Sequence, residues 1–206
     1  MSLKIYGIAR SRAIRTLWMA HELGIDYELI EVAPGESGSR KPEFLAINPN
    51  GHVPFIDDDG LVLWESLAIN LHLARKHGGP LAPAGLAEES LAVMWMSWAL
   101  TELEPLAVQV MFHSFMLPEP DRVPGLLADA LAKIQAPLLV LEGVLARAGE
   151  FVMGGRFTVA DLNLASCVFY LRMNPELLAF KPAVREWYAA AMARPAAQAA
   201  FALRGD

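Results

Sequence analysis

The chain has 206 residues, enough for one large domain or two small ones with a sizeable buried core. A hydrophobic fraction of 54%, a charged fraction of 19% and a mean hydropathy of +0.32 exclude disordered and fibrous classes, since ample apolar surface is available to bury. With 17 basic against 23 acidic residues the net charge is −6, which argues against a nucleic-acid partner but not against a small anion held by a local cluster.

The most apolar stretch, Ser90 to Pro118, is broken by Glu102 and Glu104, so no run reaches the roughly 18 residues a helical membrane crossing needs. No membrane partner is expected. The start, Met1-Ser2-Leu3-Lys4-Ile5-Tyr6, passes directly into a strand pattern and lacks the apolar core of a secretion signal. A single cysteine, Cys167, excludes an internal disulfide and fits a reducing, cytoplasmic location.

In chain order, Leu3 to Tyr6 alternates like a short strand and stops at Gly7. Ser11 to Leu23 carries Ile14, Leu17, Trp18 and His21 at helical spacing, with Gly24 as its stop. Tyr27 to Val32 reads as a second strand. A loop from Ala33 to Ser39 leads to a short helix opened by Pro42 and closed before Asn48-Pro49. Val53–Ile56 and Leu61–Trp64 flank the hairpin signal Asp57-Asp58-Asp59-Gly60, and Ser66 to Lys76 is a third helix. The order is a βαβ unit, a helix and a ββα unit around one four-stranded sheet, an α/β domain over residues 1–79. A Pro/Ala/Gly linker occupies 80–86. Residues 87–206 read as an all-α domain with helices over Glu88–Phe115, Leu126–Ala148, Val159–Arg172, Pro182–Ala193 and Ala196–Leu203.

Four features can carry chemistry. Ser11 stands where strand 1 feeds helix 1, suited either to capping the helix or to facing an anion alongside the helix N–H groups. Arg10, Arg12 and Arg15 oppose the helix dipole at a cost of a few tenths of a kcal/mol each. They imply acidic partners across a domain junction or an anionic ligand. In His52-Val53-Pro54, a proline opening a strand marks an edge or bend; a cis bond there would offer the Val53 N–H and C=O to an extended ligand. Glu65-Ser66 is an ordinary helix start, yet it also suits an α-amino acid, with serine and helix N–H groups for the carboxylate and Glu65 for the ammonium. Thr158-Val159-Ala160-Asp161 is a capping box before an uncharged helix, and here the structural role wins. No metal is expected, because His21, His52, His72, His77 and His113 show no ligand spacing. Without Cys-x-x-Cys, dithiol redox chemistry is unsupported. Met94, Trp95, Met96, Trp98, Met111, Phe112, Phe115 and Met116 read as core, with a minority available to line an apolar cleft.

Together these residues resemble the soluble glutathione S-transferase superfamily, in its bacterial serine-using, theta-related form. The likeness spans Lys4-Ile5-Tyr6-Gly7 with Ser11-x-x-x-Arg15, then Glu22-Leu23-Gly24-Ile25-x-Tyr27-Glu28, Pro42-Glu43-Phe44-Leu45-x-Ile47-Asn48-Pro49-Asn50-Gly51-x-Val53-Pro54, Leu63-x-Glu65-Ser66-x-Ala68-Ile69 and Phe157-Thr158-Val159-Ala160-Asp161. The resemblance implies a thioredoxin-like N-terminal domain binding glutathione, with a cis peptide at Pro54. Val53 would pair with the cysteinyl backbone, Glu65 and Ser66 would hold the γ-glutamyl end, and His52 with Arg40 or Lys41 would lie near the glycine carboxylate. Ser39 stands where relatives often place a loop histidine. Ser11 would activate the thiol without bonding covalently. A charge-assisted hydrogen bond worth roughly 1.5–3 kcal/mol lowers a thiol pKa from ~8.5 by about one to two units. The implied partners are glutathione as co-substrate, with no tightly bound cofactor, and a small hydrophobic electrophile in a cleft between the domains. A homodimer is also implied. Isomerisation, dehalogenation or peroxide reduction on the same site, and a non-catalytic interaction role, are the alternatives.

Overall fold

The computed structural model describes residues 2–205, which form two compact units: residues 2–82 with 193–205, and Pro83–Met192. In the first, β1 (Leu3–Tyr6), α1 (Ala13–Leu23), β2 (Glu28–Ile30), α2 (Pro42–Leu45), β3 (Phe55–Asp58), β4 (Leu61–Trp64) and α3 (Ser66–His77) follow the expected βαβ-α-ββα order. The sheet runs β2-β1-β3-β4, with β1 parallel to β2 and the other pairs antiparallel. Its thioredoxin-like core is apolar and nearly dry: Ile5, Leu17, Trp18, Phe55, Ile56, Ile69 and Leu73 are fully buried. A smaller cluster of Val32, Val53 and Phe55 sits beneath the loops, where Tyr6 stacks on Phe55 with ring centroids 4.4 Å apart. Asp59-Gly60 closes the β3–β4 hairpin with both residues at positive φ, as a two-residue turn demands.

The domain boundary expected from sequence is corrected at its C-terminal end. Helix α10 (Pro195–Ala202) belongs to the first unit, not to the helical domain. It packs along α1, where Ala197 and Ala200 are fully buried and their small side chains admit close approach. Trp18 meets Phe201 edge-on at 5.9 Å. Arg194 grips Glu22 with two bonds, Nε to Oε1 at 2.6 Å and Nη2 to Oε2 at 2.7 Å, and Trp18 Nε1 donates to the same carboxylate. Such a bidentate pair with one partner nearly dry is the strong form of an ion pair.

The second unit is helical, as expected, but more broken than the periodicity implies. Helices α4 (Gly85–Trp98) and α5 (Glu104–Met111) are separated by a π-helical turn over Ala99–Leu103, because Pro105 has no N–H to continue the regular ladder. A second π-helical turn, Phe112–Met116, precedes Pro118. Helices α6 (Pro124–Lys133) and α7 (Gln135–Ala148) meet at Ile134, and α8 (Val159–Val168) and α9 (Pro182–Met192) complete the unit. The stretch Pro124–Ala148 is long and apolar enough to cross a membrane by length and composition, contrary to the sequence expectation; Leu138, Leu141 and Leu145 from it are buried in this unit. Thr158 and Asp161 form the expected capping box, and Asp161 also accepts from Val152 N–H at 2.9 Å and Trp187 Nε1–H at 3.0 Å.

Asp58, buried at the end of β3, accepts from Lys76 Nζ at 2.6 Å and His72 Nε2 at 2.7 Å, tying the sheet to α3. Burial alone would raise its pKa, but the bonds and charges of Lys76 and His72 outweigh that and hold it below 3.8. A depressed carboxylate stabilises the fold above its unfolded pKa, and the contribution vanishes as pH falls through the folded value. Urea midpoints should therefore drop between pH 5 and about pH 3, and less steeply in Asp58→Asn, which starts lower at neutral pH. Equal acid slopes in both proteins would remove Asp58 from this role.

Candidate functional site

Between β1 and α1 the chain turns through residues 7–12. Ser11 Oγ accepts the Ala13 N–H at 3.1 Å and donates to the Ile8 carbonyl at 2.7 Å. The same carbonyl also receives the Ser11 N–H at 2.9 Å. The serine thus does cap the helix start, and it remains partly exposed. Gly7 makes room for it: a Cβ there would lie 2.6 Å from Ala13 Cβ, 3.5 Å from Val53 Cβ and 3.7 Å from Ser11 Oγ. With φ at +150° the position is adverse to side chains in any case. Ser11 Oγ and the Val53 side chain therefore both lie close to Gly7, where the packing against Ala13 admits no side chain.

The Val53–Pro54 peptide is cis. Val53 lies just before β3, and among the described residues neither its N–H nor its C=O has a protein hydrogen-bond partner. Backbone groups of this kind are normally paired, so they await a ligand or water. The preceding loop is held firmly. Asn48 Nδ2 donates to the His52 carbonyl at 2.9 Å and Ser39 Oγ to the Gly51 carbonyl at 2.7 Å. Ser39 is buried, so it fastens the loop from inside. Arg40 is exposed and lies along Gly51, where a Cβ would sit 2.9 Å from Arg40 Cγ; His52 beside it is exposed too.

On the other side of α1, Ser11-x-x-x-Arg15 places its two ends on one helical face. Arg15 is buried and its Nη1 donates to Ser66 Oγ at 3.3 Å. The proton of the Ser66 hydroxyl has no acceptor among the described residues. Glu65, exposed just ahead of α3, holds φ at +75°, a strained conformation that costs a non-glycine residue about 1–3 kcal/mol and concentrates at functional sites.

Residues 1–75 match the family model for the glutathione S-transferase N-terminal domain, and 124–190 match that for the C-terminal domain. The sequence is 33% identical to glutathione S-transferase 3 of Zea mays, covering 95% of this chain and 91% of that one. The chain belongs to the glutathione S-transferase family. It is also 32% identical to a disulfide-bond oxidoreductase of Escherichia coli, over 85% of this chain and 83% of that protein. Among solved structures, the theta class glutathione S-transferase of Xanthomonas axonopodis pv. citri with glutathione bound is 34% identical, with a TM-score of 0.85 over 97% of this chain and 96% of that one.

As a transferase of this family the enzyme takes glutathione as substrate. The sequence-derived candidates Ser11, Arg40, His52, Val53, Pro54, Glu65 and Ser66 all fall in the first unit. Ser11 and Val53 meet at Gly7, Arg40 and His52 at Gly51, and Glu65 and Ser66 at the start of α3. Sequence reasoning missed three supports: Gly7 as the spacer, Asn48 as the loop fastener, and Arg15 as the partner of Ser66. Asn48 was visible only as part of a turn signal. Gly7→Ala should cost about 1–3 kcal/mol by overpacking. Its turnover should fall further than the folded fraction does, compared by urea unfolding and steady-state rates; a stability loss with unaltered turnover per folded molecule would leave Gly7 a purely structural spacer.

Proposed function

We propose that this transferase activates glutathione as its thiolate through the Ser11 hydroxyl, for attack on a hydrophobic electrophile. One observation carries the reading: a partly exposed hydroxyl lies close to the same glycine as Val53, whose backbone N–H and C=O have no protein partner among the described residues. The Val53 N–H and C=O suit the cysteinyl backbone of an extended tripeptide, and pairing there would bring the cysteine sulfur toward Ser11. Arg40 and His52 suit the glycine carboxylate. At the other end, the Ser66 hydroxyl, backed by Arg15, suits the γ-glutamyl carboxylate, and Glu65 its ammonium. Reduction of a peroxide or disulfide by the same thiolate is the second reading, favoured by the oxidoreductase relative.

The hydroxyl has one proton, which the Ile8 carbonyl holds in the unliganded protein. Donating it to a thiolate gives up a neutral bond worth ~1 kcal/mol and gains a charge-assisted one worth ~1.5–3 kcal/mol. The net gain lowers the thiol pKa by about half a unit to one and a half units. Ile8 is not stranded by the switch, because the Ser11 N–H still donates to it. The Ala13 N–H bonded to Oγ polarises the hydroxyl and strengthens it as a donor. Ser11→Ala should move the lower limb of the pH–rate profile for conjugation of a generic aryl halide upward by about that amount, with glutathione affinity nearly unchanged. A profile that does not move would end the assignment.

We also infer a homodimer in the cytoplasm. The edge strand β4 exposes Leu61, Val62 and Trp64 at 47%, 41% and 42%, and α4 exposes Leu91 and Met94. Bare apolar edges of this size are normally covered. Sedimentation equilibrium should give twice the chain mass at micromolar concentration, and Trp64→Glu should shift it to monomer; a wild-type monomer would dismiss the dimer.

A further inference from the structure

The C-terminal segment reaches the loop that carries Ser11. Arg10 Nε donates to the Arg204 carbonyl at 2.8 Å and its Nη2 to the Gly205 carbonyl at 3.2 Å. Arg204 reciprocates, its Nη1 donating to the Ala9 carbonyl at 3.2 Å. Ala9 and Arg10 are the two residues between Ile8, which holds the Ser11 proton, and Ser11 itself. Two arginines thus clasp two chain segments about 195 residues apart, each side chain holding the other's backbone. The clasp ends a longer seam. Moving along α10, Arg194 meets Glu22, Phe201 meets Trp18 and Arg204 meets Ala9, so α10 lies antiparallel to α1 and braces it from its last turn to the loop before its first.

Residues 7–12 lie outside regular structure; Gly7 is tied across to Ile30 by its N–H at 3.0 Å and to Val32 by its C=O at 3.4 Å, and beyond it residues 8–12 belong to no strand or helix. The turn bonds of Ser11 and the clasp are among its fasteners. A charged donor on a carbonyl makes a stronger bond than a neutral one, and a forked guanidinium also sets direction. Moving a reacting group by even 1 Å can change a rate by about 100-fold. The clasp therefore sits where small displacements of Ser11 would count.

We propose that Arg204 and Arg10 are positioning residues for thiol activation: the C-terminal segment holds the 8–11 loop so that the Ser11 hydroxyl meets the glutathione sulfur. The proposal rests on Ser11 acting as described above. It assigns the C-terminal segment a role in catalysis that does not involve contact with either substrate.

The test compares Arg10→Ala, Arg204→Ala, Arg204→Lys and Ser11→Ala, each full length, in the aryl halide assay across pH. Arg204→Ala and Arg10→Ala should lower kcat roughly threefold to tenfold and raise the apparent thiol pKa, with KM for glutathione within about twofold of wild type. Arg204→Lys, which keeps a donor for the Ala9 carbonyl, should recover part of the loss. In the Ser11→Ala background, Arg204→Ala should add no further pKa shift, because it acts through the missing hydroxyl. Amide hydrogen exchange of residues 8–11 should quicken in both arginine variants. If Ser11→Ala moves the profile and the arginine variants do not, the clasp proposal alone falls. If Ser11→Ala moves nothing, the Ser11 assignment falls, and faster exchange at 8–11 then still shows the clasp holding the loop. A uniform loss of stability with an unshifted profile would reduce the clasp to a structural fastening.

Discussion

The proposed thiol activation turns on one proton. Ser11 has a single hydroxyl hydrogen, and the fold gives it a temporary acceptor in Ile8 rather than a permanent one. Had that carbonyl depended on the hydroxyl alone, releasing it would have left a polar group unsatisfied at a cost of about 1–3 kcal/mol, cancelling what the thiolate bond supplies. The second donor, the Ser11 N–H, removes that cost. Gly7 lets Ala13 and Val53 pack close beside the oxygen, and the Ala13 N–H donates to it. In the proposed mechanism the loop therefore offers its donor in a nearly neutral exchange.

The elements that show most plainly in the sequence are those whose signals are local. Gly24 caps α1 through bonds to Ala20 and His21, and Asp59-Gly60 closes its hairpin, because each conformation is dictated by a residue and its immediate neighbours. The Thr158–Asp161 box reads directly for the same reason. What stayed hidden depends on partners distant in the chain. The Ala-rich pattern of α10 specifies a helix with a small-residue face, and nothing in it names α1 as the surface it covers. Only the pairing of Arg194 with Glu22 and of Phe201 with Trp18 decides that. Likewise Arg15 read as a cation suited to an acidic partner or a ligand anion, and its bond to the Ser66 hydroxyl, 51 positions away, was not visible in that pattern. Its burial follows from the α1 face it occupies, between Ile14 and Thr16 in a run buried through Ala20.

The chain's net charge of −6 is at odds with an anionic tripeptide only if charge is counted globally. At physiological salt, exposed charges are screened over about 8 Å, so the surroundings of the site decide. Those surroundings are basic. Neither α1 nor α3 has an acidic residue in its first turn, but Glu65 stands at the N-cap of α3, so it is the positive end of α1 that most favours an anion. Arg10 and Arg204 gather at the loop before α1, Arg15 lies beneath Ser66, and Arg40 flanks Gly51. The acid at the site, Glu65, stands just ahead of α3, where an amino acid's ammonium would accompany its carboxylate. The Asp58–Lys76–His72 cluster is closed on itself at the far end of α3 and adds little field at Ser66. A helix end with no acid in its first turn and arginines at the loop before it, as at α1, gains most when the charge arriving there is negative. In the proposed mechanism the developing thiolate is such a charge.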